Sequence, residues 1–123
     1  MDEKIKKIMI VEDNPSNLKL FKLILEPVNC EIVEAHDGIE ALEVATESKP
    51  DIILMDIQIP RMDGLEVTRK LREMETFADI PIIALTAFAM ERDEKAGLEA
   101  GCNDYITKPF NTTNFLEILK RYL

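Results

Sequence analysis

The chain has 123 residues, 46% of them hydrophobic and 32% charged, a composition of one folded domain spanning residues 1–123 rather than of a disordered segment. Its formal net charge of −9 excludes a general grip on nucleic acid, which needs a basic face against phosphate, and makes proteins the expected partners. No apolar run approaches the roughly 20 residues that cross a bilayer, and Met1-Asp2-Glu3-Lys4 does not open a signal peptide, so no membrane contact and a cytoplasmic location are expected.

The first apolar run, Ile8-Met9-Ile10-Val11, reads as a strand that stops at Glu12-Asp13. Asn14-Pro15 supplies a helix cap and first turn, and Leu18, Phe21 and Leu25, flanked by Leu20 and Ile24, form an apolar helical face that Pro27 ends. Glu31-Ile32-Val33-Glu34-Ala35 is a more polar strand, expected nearer a sheet edge. Asp37 and Glu40 have capping-box spacing, and Ala41, Leu42 and Ala45 make the buried stripe of a second helix stopped by Lys49-Pro50. Ile52-Ile53-Leu54-Met55 is a third strand ending on Asp56, followed by a loop with Pro60 and Asp63-Gly64 and a helix through Leu65, Thr68 and Leu71. A fourth strand, Ile82 to Leu85, follows Pro81 and stops at Thr86. Met90 to Ala100 has an irregular apolar pattern with Gly97 inside it, the weakest helix signal in the chain. The fifth strand, Asp104 to Thr107, ends at Lys108-Pro109, and Asn111 caps a last helix with Phe115, Ile118, Leu119 and Tyr122 on one face.

Short continuous apolar runs of this kind are strands buried on both faces, as in a parallel sheet. Five βα units without linker, repeat or low-complexity stretch predict an α/β fold, an open doubly wound sheet with helices on both sides. Five strands are too few for a βα barrel.

Working groups in such sheets lie just beyond the carboxyl ends of the strands. Glu12, Asp13 and Asp56 would therefore gather there, with the hydroxyl of Thr86 and the ammonium of Lys108. Carboxylates this close resist joint ionisation unless a cation compensates, and an all-oxygen set suits Mg²⁺, with Mn²⁺ as the alternative. That set points to phosphoryl transfer, with Asp56 as nucleophile and Thr86 and Lys108 against the phosphoryl oxygens. Pro109 would fix the loop after Lys108. Taken singly, each residue is ordinary: turn carboxylates, a strand-end hydroxyl, a solvated charge. Cys30 and Cys102 have no metal-ligand spacing and read as free thiols, and the single histidine, His36, reads as an exposed loop residue.

Val11-Glu12-Asp13-Asn14, Leu54-Met55-Asp56-Ile57-Gln58-Ile59-Pro60, Met62-Asp63-Gly64-Leu65, Ala84-Leu85-Thr86-Ala87 and Tyr105-Ile106-Thr107-Lys108-Pro109 resemble, in order and over essentially the whole chain, the receiver domain of two-component response regulators. The resemblance implies a five-stranded flavodoxin-like sheet of order 2-1-3-4-5, as in CheY, and a histidine kinase or phosphotransfer protein that phosphorylates Asp56. It implies that Glu12, Asp13, Asp56 and the backbone carbonyl of Gln58 hold Mg²⁺. Thr86, the backbone of Ala87 and Lys108 would bind the phosphoryl group, Thr86 and Tyr105 would relay the switch, and Gln58 and Phe88 would tune a slow self-dephosphorylation. The fourth helix, fifth strand and last helix would form the face for a downstream protein, the chain being a monomer or a phosphorylation-dependent homodimer.

Within that family, Lys19-Leu20-Phe21, Met55-Asp56-Ile57-Gln58, Gly64-Leu65-Glu66-Val67-Thr68 and Thr86-Ala87-Phe88-Ala89-Met90 resemble single-domain regulators of the DivK type. A receiver belonging to a hybrid histidine kinase or a longer regulator is the alternative. An aspartate-nucleophile phosphatase fits less well, because it places two aspartates as DxD after the first strand, where this chain has Glu12-Asp13 consecutively. The expectation is a signalling switch, not an enzyme acting on other molecules; a structural adaptor would show neither Mg²⁺ response nor modification of Asp56.

Overall fold

The computed structural model describes residues 5–57, 62–86, 91–107 and 111–123, and only the backbone of 91–94. The elements run β1 (Lys6–Val11), α1 (Pro15–Leu25), β2 (Cys30–Ala35), α2 (Gly38–Ser48), β3 (Ile52–Asp56), α3 (Gly64–Glu73), a 3-10 turn (Glu75–Phe77), β4 (Ile82–Thr86), α4 (Glu91–Ala100), β5 (Asp104–Thr107) and α5 (Thr112–Lys120). All pairings are parallel and the sheet order is β2-β1-β3-β4-β5, as expected.

Strand alternation divides the core in two. Ile8, Ile10, Ile52, Leu54, Ile83 and Leu85 pack with Leu18, Phe21 and Leu25 of α1 and Phe115, Ile118 and Leu119 of α5. Phe21 and Phe115 stack there, with ring centroids 5.7 Å apart. Met9, Val11, Ile53, Met55, Ile82 and Ala84 face the other way, onto Ala41 and Ala45 of α2 and Val67 and Leu71 of α3. The central strands β3 and β4 are buried at every residue, whereas β2 at the edge is only partly covered, which matches its polar sequence.

Side chains cap four helices, and those at Asn14, Asp37 and Asn111 are the ones the sequence predicts. Asn14 accepts from the Ser16 and Asn17 amides, Asp37 from Glu40, Asp63 from Glu66 and Asn111 from Asn114. The apolar stripes are rotated slightly from expectation. Leu20 is 41% exposed while Ile24 is buried, and Val67 is buried where Leu65 is only half covered, as is Leu42. Each sheet-facing stripe follows the cap and the crossing of its helix, not apolarity alone. The segment with the weakest signal is a helix, α4, that accommodates Gly97. Both cysteines carry free thiols.

Candidate functional site

The strand order reverses between β1 and β3: the chain leaves β1 for β2 on one side and β3 for β4 on the other. The helices diverge there and leave a crevice beyond the carboxyl ends of those two strands. Glu12, Asp13 and Asp56 occupy it. Val11 is level with Met55 in the register, so Glu12 and Asp56 occupy equivalent steps on adjacent strands, whose spacing is about 4.8 Å. One carboxylate oxygen from each of Glu12, Asp13 and Asp56 lies within 4.8 Å of the other two. Glu12 and Asp56 are buried, at 1% and 2% exposure, and Asp13 is open to solvent.

Backbone contacts hold these groups in place. The Glu12 amide donates to the Ala35 carbonyl at 3.0 Å, tying the end of β1 to the end of β2. The Glu12 carboxylate accepts from the Asn14 amide at 3.3 Å, and the Asn14 side chain opens α1. Beyond Asp56, the Ile57 amide donates to the Leu85 carbonyl at 3.0 Å, and the Gly64 amide donates to the Ile57 carbonyl at 2.9 Å. Gly64 lies so near that strand that a Cβ on it would stand 2.4 Å from the Asp56 carbonyl oxygen. In the sequence Asp63-Gly64 reads only as part of a loop, and this approach is missed, because only the folded backbone brings α3 onto the end of β3.

Thr86 is buried at the end of β4, one residue past the partner of Asp56, and pairs with Thr107 at the end of β5. Tyr105 is half-buried on β5 and packs against the cluster beneath α2 and α3. Thr86 and Tyr105 line one seam with Ile57, Gly97 and Cys102 that has no room for a water molecule. Of the predicted site residues, the structure brings together Glu12, Asp13 and Asp56 as one cluster and Thr86 and Tyr105 as another; Gln58, Ala87, Phe88, Lys108 and Pro109 lie outside the described residues. The donor set is all carboxylate and partly open to solvent, which fits a hard divalent cation that keeps some of its water.

Residues 8–120 match the response regulator receiver domain family. The chain belongs to that family. It is 48% identical over 118 residues to the polar-differentiation response regulator DivK of Brucella anthropi, covering 96% of each chain. Among solved receivers, that of a sensor histidine kinase from Pseudomonas aeruginosa PAO1 is 39% identical with a TM-score of 0.88, over 97% of this chain and 98% of that one, and has a magnesium ion coordinated in its active-site cleft. The chemotaxis response regulator CheY4 of Vibrio cholerae is 29% identical with a TM-score of 0.92, over 98% and 100%. This receiver thus has the fold and the strand-end acidic cluster that its sequence predicts. No helix among the described residues is long and apolar enough to cross a membrane.

Proposed function

We propose that this receiver is a switch thrown by phosphorylation of Asp56, and the observation that carries the reading is the convergence of Glu12, Asp13 and Asp56 at the topological crevice of the sheet. Glu12, Asp13, Asp56 and the backbone carbonyl of Gln58 would hold Mg²⁺, or Mn²⁺ in its place. Bound there, the metal would supply positive charge against the phosphoryl oxygens. The Asp56 carboxylate attacks the phosphorus of a phosphohistidine on a kinase or phosphotransfer protein. An O–P bond forms, the N–P bond breaks, and the imidazole nitrogen keeps the electron pair and takes a proton. The Thr86 hydroxyl and the Ala87 amide donate to the transferred group, and Lys108 balances its charge.

Asp56 is presented at the end of a strand buried at every residue, so the nucleophile is fixed before the donor arrives. Phosphorylation then draws Thr86 toward the new dianion and lets Tyr105 follow, which changes the α4-β5-α5 face offered to a downstream protein. Gln58 and Phe88 flank the path of attacking water and set a slow loss of the phosphoryl group; Pro109 shapes the loop that carries Lys108. The protein works in the cytoplasm, catalyses only its own phosphorylation and dephosphorylation, and is a monomer or pairs on phosphorylation. The 48% identity to DivK supports a single-domain regulator of that type, while the likeness to a sensor-kinase receiver supports the second reading, a receiver within a larger protein.

The test is transfer from a radiolabelled, histidine-phosphorylated phosphotransfer domain. Label should move to the wild type and to Thr86→Ala, and not to Asp56→Asn. Labelling of Asp56→Asn equal to wild type would refute the assignment.

A further inference from the structure

At the end of the sheet opposite the acidic crevice, one guanidinium gathers two backbone segments and the Asn103 side chain. Arg72, near the end of α3, donates from Nε to the Gly101 carbonyl at 2.9 Å, and from Nη1 to the carbonyls of Phe77 and Ile80, each at 2.7 Å. Its Nη2 donates to Asn103 Oδ1 at 2.7 Å, and that oxygen also accepts from the Ile82 amide at 2.9 Å. The Asn103 amide completes the knot by donating to the Ile82 carbonyl at 2.8 Å. Gly101 has φ +116, and a Cβ there would stand 2.7 Å from Arg72 Cγ, so both its backbone and the packing require glycine.

The carboxyl end of α4 is thus tied to α3 and to the bases of β4 and β5. Over residues 95–100, the part of α4 whose side chains are described, the helix is held lightly. Its described side chains on the covered face are the small Ala96, Gly97 and Ala100, with Leu98, 51% exposed, at the rim of the seam that holds Thr86 and Tyr105. Such small groups bury little apolar area. Charge-assisted bonds from Arg72 to the Gly101 carbonyl and the Asn103 side chain at one end, and weak apolar packing over residues 95–100, are the makings of a hinged lever.

We infer that Arg72 is the pivot of α4: the helix swings about its Arg72-bound end when the seam at Thr86 changes. The inference rests on the switch reading for what moves the helix, and on the Arg72 contacts for where it turns. The test is amide NMR of the whole chain with and without beryllofluoride, a phosphoryl mimic, in Mg²⁺. In the wild type the Thr86 and Lys95–Gly97 amides should shift while those of Gly101 and Asn103 stay. Arg72→Lys should still respond at Thr86, but hydrogen exchange at Gly101–Asn103 should quicken at least tenfold and the shifts should spread there. Asn103→Ala, which removes one arm of the knot, should show the same trend and serves if Arg72→Lys fails to fold. Equal shifts at Gly101 and Lys95 in the wild type, or unchanged exchange in the folded variants, would overturn the pivot alone. No response at Thr86 in the wild type would overturn the switch reading and the pivot with it.

Discussion

At Gly64 an added methyl group would stand 2.4 Å from the Asp56 carbonyl oxygen and 2.8 Å from Ile57 Cα, both backbone atoms that cannot swing aside. Gly64→Ala should therefore displace Asp56 itself. We expect a loss of about 1–3 kcal/mol in denaturant unfolding, the usual cost of overpacking, together with slower phosphorylation; unchanged values would mean that the loop yields. The two thiols separate by burial. Cys102 is 6% exposed, and burial pushes its thiol above the ordinary range; Cys30 is raised for the same reason but is only partly covered. Iodoacetamide should label Cys30 first and Cys102 only as the protein opens, so equal rates in the folded state would contradict the packing of Cys102 against Thr68. On the surface, a hydrogen bond from Lys22 holds the Glu34 carboxyl below its usual range. Because its pKa is lowered by folding, the pair stabilises the protein above the unfolded carboxyl value of 4.5 and the effect is lost as pH falls through the folded value. Both side chains are about a third or more exposed, at 46% and 32%, so Glu34→Gln should cost less than about 1 kcal/mol at pH 7 and nothing at pH 2, which urea titrations at the two pH values would measure.

Among the elements, α4 is the place where sequence and structure inform each other most. Gly97 is buried, yet among the described residues a Cβ on it meets no heavy atom within 4 Å. Gly97→Ala should raise stability by up to about 1 kcal/mol through helix propensity, seen as a higher urea midpoint; a lower midpoint would show that the site is filled. Five strands and five helices were legible because buried parallel strands are continuous apolar runs, and because Asn14, Asp37 and Asn111 are side chains that cap. The acidic cluster was legible for a topological reason, since strand ends converge whatever the details of packing. The 3-10 turn with buried Phe77 was not, because a single aromatic in a polar stretch has no period to reveal it. Nor was the Arg72 knot, whose acceptors are backbone carbonyls that any sequence would offer. Leu20 and Leu65 show the same limit from the apolar side: periodicity finds a stripe, and tertiary crossing decides which of its edges is covered.

Across the whole molecule, the fold assembles a negative centre whose donors could hold a metal ion. Three carboxylates within 4.8 Å repel one another in the metal-free protein. Asp13→Asn should accordingly stabilise that form, while removing most of the Mg²⁺ response. For the wild type, Mg²⁺ at a hundred times its dissociation constant should add about 2.7 kcal/mol, read as a rise in Tm that EDTA reverses. An equal rise in Asp13→Asn would place the metal elsewhere. Whether this centre makes Asp56 the phosphoryl acceptor is read from intact mass after incubation with acetyl phosphate. We expect one added phosphoryl group in the wild type with Mg²⁺, and none in EDTA or in Asp56→Asn. An adduct of the same size in Asp56→Asn, or one formed equally well in EDTA, would contradict that role.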